Sequence, residues 1–301
     1  MKKIMMLLSL LIISVASFSM KIDGNHIVDS TGNRIELKKY NRVVVMDPAV
    51  VEIFYLLGSE DQISAIANTV RNPIWPEEKT SHLKTVGTII KPSLEQIISH
   101  TPDLVIINPM SIGLTKQLEE RGLRYIVNEA STFDEILDIT EIYGKLTGRE
   151  AEAGKVVEKQ RKTLERIEAR VTAEPLGLKG AFLFSTSPMM VFNTNSLPGR
   201  VFEFLGIENI ADGIPGGRPI ISPEYLIESN PNILMGSMAI KSPRDIIATN
   251  PFVEATDAGR NKNLMVVDSN KILRASPRII DAVEELYEEL KEGNNNERKN
   301  I

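Results

Sequence analysis

The residues of this chain best suited to bind a ligand are arginines and apolar side chains that fall between regular elements. Arginine presents a planar fork that binds two oxygen atoms at once, so it suits carboxylates and other oxygen-rich anions. Tryptophan and methionine add flat or adaptable apolar surface, and the set suits a bulky anionic ligand with an organic body. The alternative for each arginine is an ion pair with a local acid such as Glu77 or Asp268. The candidate ligand-binding residues are Arg71, Trp75, Asn108, Met110, Arg218 and Arg274.

Signals for catalysis or for a bound metal ion are weak. The three histidines, His26, His82 and His100, fall in a predicted ribbon, a loop and a helix end. The sequence has no cysteine, and it lacks the common metalloprotease, serine-hydrolase and phosphate-loop motifs. Adjacent carboxylates such as Glu119 and Glu120 fall on predicted amphipathic helices. Exposure to solvent on the polar face of such a helix explains them more simply than catalysis does. We therefore predict a protein that is not an enzyme, with no catalytic residue, no metal site and no intrinsic cofactor.

Strand-like and helix-like segments alternate along the chain and would position these residues. Residues 42–46 form a β-branched run without polar alternation, which is typical of a strand buried on both faces. Similar runs recur in both halves, separated by helical segments that end at glycine, and this alternation indicates parallel sheets covered by helices. Residues 150–172 lack proline and are rich in helix-forming residues. The predicted fold is α/β, with two Rossmann-like lobes, each with a parallel sheet, joined by one long α-helix.

The predicted organisation has five segments. Residues 1–19 form a signal peptide, 20–148 an N-terminal lobe, 149–173 the linking helix, 174–292 a C-terminal lobe and 293–301 a disordered tail. Ligands of parallel sheets bind beyond the carboxyl ends of the strands. Two such lobes therefore predict a ligand cleft between their sheets, and the candidate arginines fall in loops expected to face it.

The first residues predict export. Lys2 and Lys3 precede an apolar run of about twelve residues, which is short for a membrane span, and small residues follow it. An uncleaved membrane anchor is the alternative. Because the chain has no cysteine, it offers no site for lipid attachment at a mature N-terminus, so we predict a periplasmic location without lipidation. The net charge of −5 argues against nucleic acid as a partner.

Four stretches resemble one known family, the ABC-importer binding proteins for ferric siderophores, heme and cobalamin. They are residues 29–37 (DSTGNRIEL), 42–58 (RVVVMDPAVVEIFYLLG), 86–107 (VGTIIKPSLEQIISHTPDLVII) and 221–235 (ISPEYLIESNPNILM). The resemblance implies a monomer with two rigid lobes and a permease as its partner. It also implies that Glu95 and Glu224 dock on permease arginines. The alternative is that each glutamate only completes a helix N-terminus.

The resemblance implies that the ligand is a metal chelate, with a ferric siderophore as the first expectation. A nickel or cobalt chelate, heme and cobalamin remain as alternatives. Heme-binding relatives supply a tyrosine or histidine, for which His82 and Tyr225 are the weak candidates here. Proteins of other classes also remain open: a binding protein for a bare metal ion, an exported α/β enzyme, or an interaction module.

Overall fold

The computed structural model describes residues 19–68 and 72–298, with side chains through residue 293. Most of the predicted signal peptide and the candidate Arg71 therefore lie outside the described residues. Within the described ranges, no helix combines the length and apolar character needed to cross a membrane.

A small antiparallel ribbon opens the described chain. It consists of β1 (Met20–Asp23), β2 (His26–Asp29) and β3 (Arg34–Glu36). The buried carboxylate of Asp29 accepts hydrogen bonds from the backbone N–H groups of Thr31 and Asn33, and also from that of Val127 at 2.8 Å. One side chain therefore shapes the ribbon turn and fastens the ribbon to the first lobe.

The first lobe contains a five-stranded parallel sheet in the order β6-β5-β4-β7-β8. Its strands are β4 (Val43–Val45), β5 (Ile63–Asn68), β6 (Thr85–Thr88), β7 (Leu104–Ile107) and β8 (Tyr125–Val127). Its helices are α1 (Pro48–Leu56), α2 (Glu77–Thr80), α3 (Leu94–Ser99), α4 (Thr115–Glu120) and α5 (Phe133–Thr147). The strands β4 and β7 are buried on both faces, as their unbroken aliphatic sequences predict.

The long helix α6 (Glu150–Ala173) follows the left-handed Gly148 that ends α5. Its buried side chains recur three or four positions apart and form one inward stripe: Ala153, Val157, Gln160, Thr163 and Ile167. Arg166 and Arg170 on its outer side pair with Glu284 and Glu288 of the last helix. The linking helix is therefore attached to the second lobe by both apolar packing and ion pairs.

The second lobe contains β9 (Lys179–Thr186), β10 (Met189–Phe192), β11 (Glu208–Asn209), β12 (Ile233–Gly236) and β13 (Leu264–Val266). Its helices are α7 (Leu197–Phe204), α8 (Pro223–Ser229), α9 (Pro243–Thr249), α10 (Asp257–Arg260), α11 (Ser269–Ile272) and α12 (Arg278–Arg298). The main strand order is β10-β9-β12-β13, and β11 also pairs with β9.

Two features of the second lobe differ from the sequence prediction. Strand β10 is antiparallel to β9, because only Ser187 and Pro188 separate the two strands and a parallel connection needs a longer crossover. The expected disordered tail from residue 293 is also wrong in part, since α12 continues to Arg298. The packed first turns of α12 nucleate a helix that polar residues can then extend.

The two lobes share part of their apolar core. Ile136 and Leu137 of α5 belong to the same buried cluster as Phe182 and Phe202 of the second lobe. Across this boundary the rings of Phe133 and Phe204 meet edge to face at a centroid distance of 5.0 Å. The lobes are therefore joined by shared packing as well as by the linking helix.

Replacement of Ile167 by alanine tests how much the linking helix contributes to stability. Ile167 is fully buried in the shared cluster, so the change should lower the free energy of unfolding by about 2–5 kcal/mol. Urea denaturation measures the loss. Glu168→Ala, at the neighbouring exposed position, is the control and should stay within about 0.5 kcal/mol of the unchanged protein. Equal effects of the two changes would contradict the packing described here.

Candidate functional site

A buried ion cluster joins the two lobes at the site. Glu52 of α1 is fully buried. Its Oε1 forms ion pairs with Arg274 Nη1 at 2.8 Å and with Arg278 Nη1 at 3.1 Å. Its Oε2 accepts a hydrogen bond from Ser276 Oγ at 2.6 Å. A buried carboxylate is stable only when it is paired and hydrogen-bonded, and here all three partners come from the opposite lobe.

Arg274 is fully occupied by protein acceptors. Besides Glu52, its guanidinium donates to the carbonyl oxygens of Asn72 and Pro73 and to Oδ1 of Asn270. Only about 10% of its side chain is exposed. Arg274 was predicted to bind ligand, and the structure instead places it as a clamp that holds the loop after β5 against the second lobe.

Trp75 lies at the same lobe boundary. The guanidinium carbon of Arg278 is 4.6 Å from the Trp75 ring centroid, within the range of a cation–π interaction. The ring remains 39% exposed. Trp75 lies in the loop after β5. Arg278 is the first residue of α12, the second helix after β13. Segments that follow the carboxyl ends of both sheets therefore meet here.

A buried carboxyl lies at the carboxyl edge of the first sheet. Asp47 caps α1 by accepting the N–H of Ala49, and its other oxygen accepts from Asn108 Nδ2 at 3.1 Å and Asn128 Nδ2 at 3.0 Å. Burial raises the pKa of Asp47 above its usual value, and these hydrogen bonds oppose that rise. The hydroxyl of Tyr143 donates to Asn128 Oδ1 and orients it.

Asn108, a predicted ligand group, is part of this network. Its Nδ2 donates to Asp47, and its Oδ1 accepts the backbone N–H of Met110. The side chain therefore shapes the loop after β7. Met110 itself is 66% exposed and lines a small recess with Ile90 and Pro92, in the segments that follow the carboxyl ends of β7 and β6.

Arg218 is a predicted ligand-binding arginine whose charged side chain is exposed. It is exposed, and among the described residues it makes no ion pair with a carboxylate. Its guanidinium carbon is 4.6 Å from the centroid of the Phe184 ring, near the carboxyl end of β9. Phe184 packs against the same cluster as Leu273 and Ala275, which flank Arg274. A second arginine–aromatic pair therefore lies at the carboxyl edge of the second sheet.

The two weak candidates for a heme ligand have different surroundings. The hydroxyl of Tyr225 donates to the carbonyl of Ile210, and His82 lies exposed just after α2. Among the described residues, no three histidine, cysteine, aspartate or glutamate side chains group as a metal site.

The two predicted docking glutamates occupy matching positions in the two lobes. Glu95 is the second residue of α3, after the N-cap Ser93, and Glu224 is the second residue of α8, after the N-cap Ser222. Both side chains are exposed. Hydrogen bonds from its own backbone N–H and from Ser222 lower the pKa of Glu224, which keeps the carboxylate ionised.

The described chain has two α/β lobes bridged by a long helix, with one arginine–aromatic pair at the lobe boundary and one near the carboxyl end of β9. A family model described as "Periplasmic binding protein" matches residues 43–271, and the chain belongs to this family. This confirms the resemblance found in the sequence.

Individual relatives agree with the family assignment. The chain is 24% identical over 270 residues to the uncharacterized ABC transporter substrate-binding lipoprotein YvrC of Bacillus subtilis, covering 87% of this chain and 84% of that protein. It is 26% identical to a vitamin B12-binding protein of Vibrio parahaemolyticus, covering 82% and 88%. The fold matches the periplasmic heme-binding protein RhuT of Roseiflexus with a TM-score of 0.74 and 19% identity, covering 85% and 99%.

Sequence reasoning missed four residues of the site: Glu52, Ser276, Arg278 and Phe184. The signal for Glu52 was present, because a lone acid within the apolar helix AVVEIFY must find a partner if the helix is buried. No local pattern identifies that partner, since Arg274 is 222 positions away in the chain.

Replacement of Glu52 by glutamine tests the cross-lobe cluster. The change leaves two arginines without their buried counter-charge, so the free energy of unfolding should fall by about 3–5 kcal/mol. Urea denaturation measures the difference. Glu77→Gln, on an exposed first turn in the same lobe, is the control and should change stability by less than about 0.5 kcal/mol. A Glu52 variant as stable as the control would show that the ion cluster does not hold the lobes together.

Proposed function

We propose that this protein captures a bulky anionic metal chelate and delivers it to the permease of an ABC importer. The first candidate ligand is a ferric siderophore. The observation that carries the proposal is the pair of arginine–aromatic contacts, Arg278 with Trp75 across the lobe boundary and Arg218 with Phe184 near the carboxyl end of β9. A guanidinium attracts the oxygen-rich periphery of such a chelate, and an aromatic face supports its organic body.

The remaining parts of the proposal follow from the family and the sequence. The protein acts in the periplasm as an exported, unlipidated monomer, and it binds and releases its ligand reversibly without catalysis. The Glu52 cluster and the shared core favour lobes that move little, so ligand enters a preformed site. No intrinsic cofactor takes part, and the metal arrives within the chelate.

Cobalamin is the second candidate ligand. Relatives named as vitamin B12-binding proteins are 22–26% identical to this chain. A corrinoid carries its metal already chelated, so it needs no tyrosine or histidine from the protein, which agrees with the engaged Tyr225 hydroxyl. Heme and a nickel or cobalt chelate are the further alternatives.

Fluorescence of Trp75, the single tryptophan, tests ligand capture. We expect saturable quenching by one of six probes: a ferric catecholate, ferric citrate, a ferric hydroxamate, heme, cobalamin and nickel–histidine. Arg218→Ala should weaken binding of an anionic ferric chelate about tenfold or more, because it removes a charged hydrogen-bond donor. Arg218→Lys should retain part of the affinity, since the charge remains without the planar fork.

The control for this titration is Arg260→Ala, which removes a charge of the same type from a surface pair with Asp257. It should leave affinity unchanged. Tight binding of cobalamin, with no effect of Arg218→Ala, would support the second candidate instead. Absence of a response to all six probes, by fluorescence and by thermal shift, would contradict the metal-chelate proposal.

Uptake by cells tests the role of Glu95 and Glu224. The double variant Glu95→Ala/Glu224→Ala should keep its ligand affinity and lose transport, because both glutamates are exposed in helix first turns and are not among the proposed ligand residues. Glu141→Ala/Glu292→Ala removes the same number of exposed charges and should transport normally. Normal uptake by the first double variant would refute the docking assignment.

A further inference from the structure

Arg278 contacts one acid and one aromatic ring, and both belong to the opposite lobe. Its Nη1 lies 3.1 Å from Glu52 Oε1, and its guanidinium carbon lies 4.6 Å from the centroid of the Trp75 ring. The side chain of Arg278 is 23% exposed, whereas Arg218 is an exposed residue. The charge of Arg278 is therefore already balanced within the protein, unlike the charge of Arg218.

The start of α12 fixes the position of Arg278. Just before it, the buried Ser276 donates its hydroxyl to Glu52 Oε2 at 2.6 Å. Just after it, Ile279 and Ile280 are fully buried in the core cluster of the second lobe. A cation in the first turn of a helix faces the positive end of the helix dipole, so Arg278 needs a counter-charge there. Glu52 supplies that counter-charge from the first lobe.

The main chain on both sides of Trp75 is anchored within the first lobe. The side chain of Ile74 is buried in the core of that lobe, and its carbonyl oxygen accepts a hydrogen bond from Thr80 Oγ1 at 2.7 Å. The carbonyl oxygen of Pro76 accepts the backbone N–H groups of Lys79 and Thr80. The contacts that hold this backbone are therefore separate from the contact between Arg278 and the ring.

We propose that Arg278 is a positioning residue, which acts on the chelate through Trp75 by holding the indole ring in the orientation that meets the chelate. Glu52 fixes Arg278 and Arg278 fixes the ring, so a ligand contact of the first lobe depends on a residue of the second. This inference rests on the proposed function and gives its two arginines different roles. Arg218 supplies charge to the ligand, and Arg278 supplies the geometry of an aromatic surface.

Direct pairing of Arg278 with the chelate would carry a high energetic cost. Arg278 would have to leave Glu52, whose side chain is 1% exposed, and removal of one partner from a buried carboxylate is strongly destabilising. Arg274 cannot take over, because its guanidinium already donates to other acceptors in the loop after β5. An arginine that stays against the ring while the ring meets the ligand keeps all of these contacts.

A double-mutant cycle on ligand affinity separates positioning from direct contact. Arg278→Gln should weaken binding about threefold to thirtyfold, the range expected for one cation–π contact. Trp75→Ala should weaken binding at least as much. In the Trp75→Ala background, Arg278→Gln should have no further effect, because the ring through which it acts is absent. Arg278→Lys keeps the charge beside Glu52 without the planar guanidinium, so it should recover part of the affinity.

Isothermal titration calorimetry with the six probes of the fluorescence panel measures these affinities, because the cycle removes the single tryptophan. Time-resolved fluorescence anisotropy of the ligand-free protein reports on the ring itself. Arg278→Gln should increase the rapid motion of the Trp75 ring, and Arg278→Lys should increase it less.

Arg170→Gln is the matched control for both measurements. Arg170 also pairs with a glutamate, Glu288, and its guanidinium carbon lies 5.0 Å from the centroid of the Tyr287 ring. This pair lies between α6 and α12, so its loss should change neither ligand affinity nor the anisotropy of Trp75. Urea denaturation verifies that each variant is folded.

Each contrary result would overturn a different part of the proposal. Additive effects of Arg278→Gln and Trp75→Ala would show that Arg278 contacts the chelate itself. Anisotropy unchanged by Arg278→Gln would show, without any ligand, that Arg278 does not hold the ring. If Trp75→Ala lowers stability but not affinity, the ring only shields the ion cluster. If the unchanged protein binds none of the six probes, the proposed function and the ligand part of this inference both fail, and anisotropy still decides whether Arg278 holds the ring.

Discussion

The structure depends on one buried carboxylate that belongs to one lobe and is satisfied by the other. Glu52 lies in an apolar helix, and without Arg274, Ser276 and Arg278 it would be an uncompensated charge in the protein interior. The same contacts set the positions of the cleft groups, because Arg278 also stacks on Trp75 and Arg274 also holds the loop after β5. Lobe geometry and ligand-site geometry therefore have a common cause.

The proposed function assigns separate residues to ligand binding and to permease docking. The arginine–aromatic pairs Arg278–Trp75 and Arg218–Phe184 are the proposed contacts to an anionic, organic ligand. Glu95 and Glu224, exposed in the first turns of α3 and α8, are the proposed contacts to the permease.

Sequence patterns predicted the architecture because short stretches of sequence determine its strands and helices. Runs such as Val43–Val45 and Leu104–Ile107 identify buried strands, and the absence of proline from residues 150–172 identifies the linking helix. The site was predicted less completely, because its pairs are distant in the chain. Arg274 was predicted to bind ligand, and its partner Glu52 could not be identified from either neighbourhood. Arg71, outside the described residues, remains a prediction.

The core shared between the lobes has a consequence for how the chain holds together. Ile136 and Leu137 belong by sequence to the first lobe, but they complete the apolar cluster of the second. Neither half, produced alone, can bury its full apolar surface, so the lobes do not constitute independent modules. Recombination between relatives at the linking helix would have to match α5 to both lobes, because its Ile139, Tyr143 and Leu146 pack in the core of the first lobe. The molecule has two lobes in shape, but it is one cooperative unit in folding.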